Sequence, residues 1–240
     1  MADSVGVQII EFVLRWIHFL SGITWIGILY YFNFLQTPFF GTELGGSAKS
    51  AMTRELVPKA LWWFRWGAMF TFGSGVLILL MKLGAGNSLD SAYMTRILTG
   101  ALMGTLMWAN VWFVIWPAQQ IVIANAETVA GGGEANPAAV GAGGKAGMAS
   151  RTNTLFSIPM LLFMAAGSHL TVLARDADPP ADVSVLPYWI AAFVVIGLVE
   201  INGLIGPGAS SQKMLTTVSG TIHAGLGLTA VLVLAQIFLI

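Results

Sequence analysis

The chain has no cysteine. That absence removes disulfides, zinc–thiolate sites, iron–sulfur clusters and the CxxCH attachment of c-type haem together. Histidine is left as the main metal-ligating side chain, with three in 240 residues. Charge is scarce as well: 9% of residues are charged, 56% are hydrophobic, and the mean hydropathy is +0.78. So few charges cannot cover a soluble globule of this size, and the composition predicts an all-α, polytopic membrane bundle with the lipid bilayer as its main surroundings. Eleven basic and eleven acidic residues cancel, so charge gives no case for nucleic acid or an acidic partner. No Ser/His/Asp nucleophile set, phosphate loop or nucleotide fingerprint is present either. Any activity has to come from a few polar groups set among apolar ones.

A spanning helix needs about 20 mostly apolar residues, and six stretches qualify: 7–34, 60–83, 94–123, 154–174, 187–205 and 214–239. The N-terminus MADSVGVQIIE lacks Lys and Arg, and the apolar run behind it is too long for a signal-peptide core, so it reads as a retained first helix. The six spans make one domain over 1–240. Its longest break, 124–150, contains AETVAGGGEANPAAVGAGGKAGMAS, a Gly/Ala-rich stretch with the composition of a flexible loop.

Basic residues set the expected orientation. Lys49, Arg54, Lys59, Lys145, Arg151 and Lys213 follow the odd spans, against Lys82, Arg96 and Arg175 after the even ones. This excess places both termini outside, which in a bacterial inner membrane is the periplasm. The acidic run RDADPPAD between spans four and five then faces outward.

His18, His169 and His223 lie on spans one, four and six. A membrane histidine can simply bond a neighbouring helix, but three among so few polar groups suggest a shared metal or cofactor site, for which haem b is the natural candidate. Small residues stand about a turn from each: Gly22, Ala165 and Ala166, and Gly220 and Gly227. They offer clearance for a porphyrin or for ordinary helix contact. By helical rise, His18 lies about 16 Å from the outer end of its span and His223 about 15 Å from the inner end of its own, with His169 within about 8 Å of the outside. Depth therefore favours His18 and His223 as the axial pair. Arg15, three residues before His18, is placed to clamp a propionate or to snorkel to the interface.

A second polar set falls in the inner third: Asn33, Arg65, Asn110, Glu200 and Asn202. Glu200 is the one carboxylate well inside an expected span and wants a partner or a proton. Arg65, at comparable depth, is the expected partner. The set is either an ion pair that orders packing, or a proton route or quinone head-group pocket. The many tryptophans, as in WWFRW and WANVWFVIWP, suit interfacial belts.

Six stretches, RWIHFLSGITWIGILYYFNF, LWWFRWGAMFTFGSG, WANVWFVIWPAQQ, SRTNTLFSIPMLLFMAAGSHL, VEINGL and TIHAGLGL, resemble in that order the N-terminal membrane domain of the bacterial membrane-bound urate hydroxylase family, the urate oxidase N-terminal domain family. The resemblance implies a helical inner-membrane protein in a redox setting, where a cytochrome c domain commonly follows the membrane part. It places His18, Arg65, Asn110, Asn153, His169, Glu200 and His223 inside matching patches. This chain ends at Ile240 without CxxCH, so the cytochrome module is expected on a separate polypeptide or not at all. The expected function is a haem b redox subunit between a quinone pool and a periplasmic partner, in a respiratory or photosynthetic complex. A membrane oxidase of the urate hydroxylase type and a non-redox structural or transport subunit are the alternatives.

Overall fold

A computed structural model describes residues 4–169 and 184–240. Residues 170–174 of the expected fourth span, Arg175 and the run RDADPPAD lie outside the described residues. Among the described residues everything regular is helical. The order is α1 (Val5–Tyr30), a π segment (Tyr31–Gln36), α2 (Thr37–Phe39), α3 (Glu43–Gly84), α4 (Ala92–Ala109), a second π segment (Asn110–Ile115), α5 (Trp116–Ala130), α6 (Ala138–His169), α7 (Leu186–Leu204), a 3₁₀ turn (Ser210–Thr216) and α8 (Val218–Leu239).

Hydroxyl side chains start four of the helices. Ser4, Thr42, Ser91 and Thr217 each accept from an orphan amide, those of Val7, Gly45, Met94 and Gly220. Gly86 and Gly132, both at positive φ, stand just past the ends of α3 and α5. The two π segments share one cause. Pro38 and Pro117 cannot donate to the carbonyl four residues back. Thr37 and Trp116, immediately before the prolines, keep helical φ/ψ but donate to Phe32 and Val111, five residues back. The second π segment divides the third rod, so the described residues hold seven α-helices of 15 residues or more where six spans are expected.

Five continuous helices are long and apolar enough to cross a membrane: Val5–Phe39, Glu43–Gly84, Ala92–Ala130, Leu186–Leu204 and Val218–Leu239. Many of their exposed positions are apolar, for example Phe12, Phe19, Ile23, Phe70, Phe113 and Phe238, as suits positions facing lipid. α6 differs because it is the hub. It packs on α4, α5 and α8 and touches α1 and α7, and its SRTNTLFS stretch buries Thr152, Asn153, Thr154, Phe156 and Ser157 completely. A polar helix is tolerable at membrane depth only where protein encloses it and satisfies it.

The expected flexible loop over 124–150 is a correction. α5 continues to Ala130 and α6 begins at Ala138, and the short connection is tied by Asn136, whose amide donates to Asn125 and whose side chain caps Ala138. Several of the small residues that read as a linker are close-packing contacts. Ala146 and Ala149 are buried, and a Cβ at Gly144 would stand 3.0 Å from the Pro207 ring.

Candidate functional site

His18 sits in the seam between α1 and α3. Its Nδ1 lies 2.9 Å from the Thr71 carbonyl and 3.3 Å from Ser74 Oγ. A carbonyl only accepts, so Nδ1 carries the proton and Nε2 keeps the lone pair. The Ser74 hydroxyl is spent on the Phe70 carbonyl, which leaves its oxygen to accept. α3 makes room for the ring with Gly75, where a Cβ would come within 3.0 Å of His18 Cε1. Gly22 faces Thr71 at contact distance, so it serves helix packing and not a porphyrin slot. Arg15 is committed as well: it donates to Glu11 at 2.7 and 2.9 Å, and Lys82 meets the same carboxylate at 2.8 Å. That three-charge cluster replaces the expected propionate clamp.

The three histidines do not assemble. Among the described residues no group of three His, Asp or Glu side chains could hold a metal ion. The expected pairing of His18 with His223 fails on height. Asn33 and Tyr30 bond Ser150 and Ser157 of α6, both at 2.8 Å, which fixes the antiparallel register of rods one and four. His18 lies twelve residues before Tyr30 and His169 twelve after Ser157, each about 18 Å toward the end that holds the chain termini. Those two are level. His223 belongs to the other half, because Gly225 abuts the Leu155 carbonyl, fourteen residues and about 21 Å below His169. The sequence estimate erred because 214–216 belong to the 3₁₀ turn, so His223 is only five residues into α8. Its Nδ1 bonds the Ser219 carbonyl at 2.7 Å, and the side chain is exposed. Gly220 and Gly227, which flank His223, then have no part in a site at His18. Ala166 offers its carbonyl to the buried Arg96 at 3.3 Å.

The second polar set is only partly brought together. Asn153 Nδ2 donates to the Met107 carbonyl, Asn153 Oδ1 accepts from Asn110 at 2.9 Å, and the same Asn110 nitrogen donates to Glu200 Oε2 at 3.1 Å. Asn110 heads the second π segment, a place where helices often carry function. Arg65 is elsewhere: its guanidinium lies 3.4 Å from the Trp116 ring centroid and 5.4 Å from that of Trp112, so the expected Arg65–Glu200 ion pair is replaced by cation–π stacking. Asn33 bonds Leu29 and Ser150. Asn202 holds the 3₁₀ turn through Ser211 and Gln212. Arg65→Lys is expected to destabilise by about 1 kcal/mol, through loss of the planar stack with charge kept, as a lower thermal midpoint in detergent.

Sequence reasoning missed Ser150, Ser157 and the buried Thr99–Tyr188 hydroxyl pair at 2.7 Å. The i, i+3, i+7 spacing of Ser150, Asn153 and Ser157 was the available signal, one polar face on a central helix.

The fold and site define an all-α bundle with helices fit to cross a membrane and two separate polar tiers. Residues 85–186, under half of the chain, match the model of the family described as Urate oxidase N-terminal. That stretch includes Asn110, Asn153 and His169 but not His18, Arg65, Glu200 or His223. No curated protein and no solved structure matches the chain.

Proposed function

We propose that the chain is a haem b-binding membrane redox subunit that passes electrons between a quinone pool and a partner, such as a cytochrome c, within a larger respiratory or photosynthetic complex. The observation that carries this reading is His18. Its Nδ1–H is held by the Thr71 carbonyl, which fixes the tautomer that leaves Nε2 free to ligate a metal and sets the ring orientation, as outer-shell partners do for ligating histidines. The residues fit one such ligand at His18, with His169 as the histidine at matching height; they do not fit a His18–His223 axial pair. A bound haem would supply a one-electron couple, and two histidine ligands would leave its iron no open position. Around it, Thr71, Ser74 and Gly75 hold and seat the ligand, and the apolar faces of α1 and α3 exclude water. The excess of basic residues on the odd loops supports a bacterial inner membrane with both termini periplasmic.

The match of residues 85–186 to the urate oxidase N-terminal family favours a second reading, a membrane oxidase or hydroxylase of that type. An optical spectrum of the purified full chain tests both. The expected result is a b-type reduced-minus-oxidised spectrum without carbon monoxide binding. Carbon monoxide binding to the reduced form would favour the oxidase, and a colourless, metal-free preparation made with ample haem supply would overturn both.

A further inference from the structure

We propose that Glu200 is a proton-exchange carboxyl serving the face of the bundle opposite the chain termini, with Asn110 and Asn153 as its positioning residues. The inference is independent of haem. It rests on how few groups meet the carboxyl and on how firmly the one neighbour is oriented.

Asn153 must present its nitrogen to the Met107 carbonyl, so its oxygen faces Asn110. Asn110 must then present its nitrogen, and the two hydrogens go to Asn153 and to Glu200 Oε2. The amides are therefore fixed by logic as well as by distance. Both are almost wholly buried, at 2% and 0% exposure, while Glu200 is partly exposed. Among the described residues none bonds Glu200 Oε1, and no ion pair includes Glu200.

No charged group on the packed elements reaches it. Arg65 is stacked on Trp116, Arg151 donates to the Leu215 carbonyl, and His223 is bonded back to Ser219. Lys145 and Lys213 are exposed. Asn110 is the one side chain that interacts with the carboxyl. A carboxyl flanked on α7 by the outward Leu198 and Ile201, with one amide donor and no cation, is stable there in its neutral form. Its charged form keeps one good partner. Both states are thus accessible to one geometry, which a structural ion pair would not allow. Glu200 lies four residues before the end of α7, about 6 Å along the axis, so exchange with water at that face needs a short path. The step is the uptake of one proton from water at Oε1 and its release to water, with no other bond made or broken.

Apolar carbodiimides modify membrane carboxyls in the protonated form. The test treats the purified full chain with dicyclohexylcarbodiimide across pH 5 to pH 9 and locates the adduct by peptide mass spectrometry. Expected is an adduct at Glu200 that declines as pH rises, is lost in Glu200→Gln, and grows several-fold at high pH in Asn110→Ala, where the charged form has lost its donor. Glu11, held by Arg15 and Lys82, serves as the internal comparison and should stay largely unmodified. No adduct at Glu200 at any pH, or one whose extent does not change with pH, would overturn the proposal. Infrared difference spectra give a second readout: a carboxylic C=O band that appears on acidification should vanish in Glu200→Gln, and its persistence there would also overturn the proposal.

Discussion

Replacing His18 with alanine is expected to remove completely the b-type absorbance that the proposed haem would give, while His223→Ala leaves it intact. The contrast follows from register. His18 is seated by hydrogen bonds to Thr71 and Ser74 and by the missing Cβ of Gly75. An alanine there deletes the nitrogen that would bind iron and puts nothing in its place. His223 has the same tautomer but stands about 21 Å lower. His169 is level with His18, so His169→Ala should cost the low-spin form of the spectrum even where some haem is retained. Gly75→Val should resemble His18→Ala, because a side chain at that point would displace the imidazole by several tenths of an ångström at least. Loss of absorbance in His223→Ala with retention in His169→Ala would sink the register argument, whatever the outcome for His18.

Why the spans were readable and the sites were not is a matter of which forces each depends on. Apolar length is a local property, so the six expected spans fall on the six helical rods as far as these are described. Pairing is not local. Arg65 and Glu200 were expected at comparable depth, and opposite charge made them natural partners in sequence, yet Trp112 and Trp116, one turn apart on the second π segment and α5, take the guanidinium. Desolvating both charges to bring them together would have cost several kcal/mol per ion, whereas a stacked Arg keeps part of its hydration. The Gly/Ala run over 124–150 shows the opposite error. Small side chains mean flexibility in water, but between two helices they mean close approach, and sequence alone does not say which setting applies. The error at His223 was smaller in origin: Met214 and Leu215, at the end of an otherwise polar 3₁₀ turn, read like the start of a span.

The sequence AGLGLTA contains two glycines two residues apart, and leucine at one should be nearly silent while leucine at the other prevents assembly. At Gly227 nothing lies within 4 Å of a built Cβ, and the position faces the lipid side of α8, where leucine is a native neighbour. At Gly225 a Cβ would stand 2.5 Å from Ile158 Cδ1 and 2.9 Å from the Leu155 carbonyl oxygen. The second contact is backbone and cannot step aside. It is also not accidental in position. Pro159 lies four residues after Leu155 in α6 and has no N–H to give it, so that carbonyl lacks its normal helical partner and α8 covers it through the one residue that can come close enough. Relieving the clash in Gly225→Leu would move α8 off α6 along the seam that Leu228 and Leu232 continue, uncovering the freed carbonyl in an apolar medium. Overpacking of this kind costs about 1–3 kcal/mol and an unpartnered buried carbonyl about 1–3 more, a large share of the roughly 5–15 kcal/mol that holds a domain together. Size-exclusion chromatography in detergent should show Gly225→Leu as aggregate or a strongly lowered yield, with Gly227→Leu indistinguishable from the parent. Equal, parent-like behaviour of both variants would mean that α8 does not pack on α6 through Gly225.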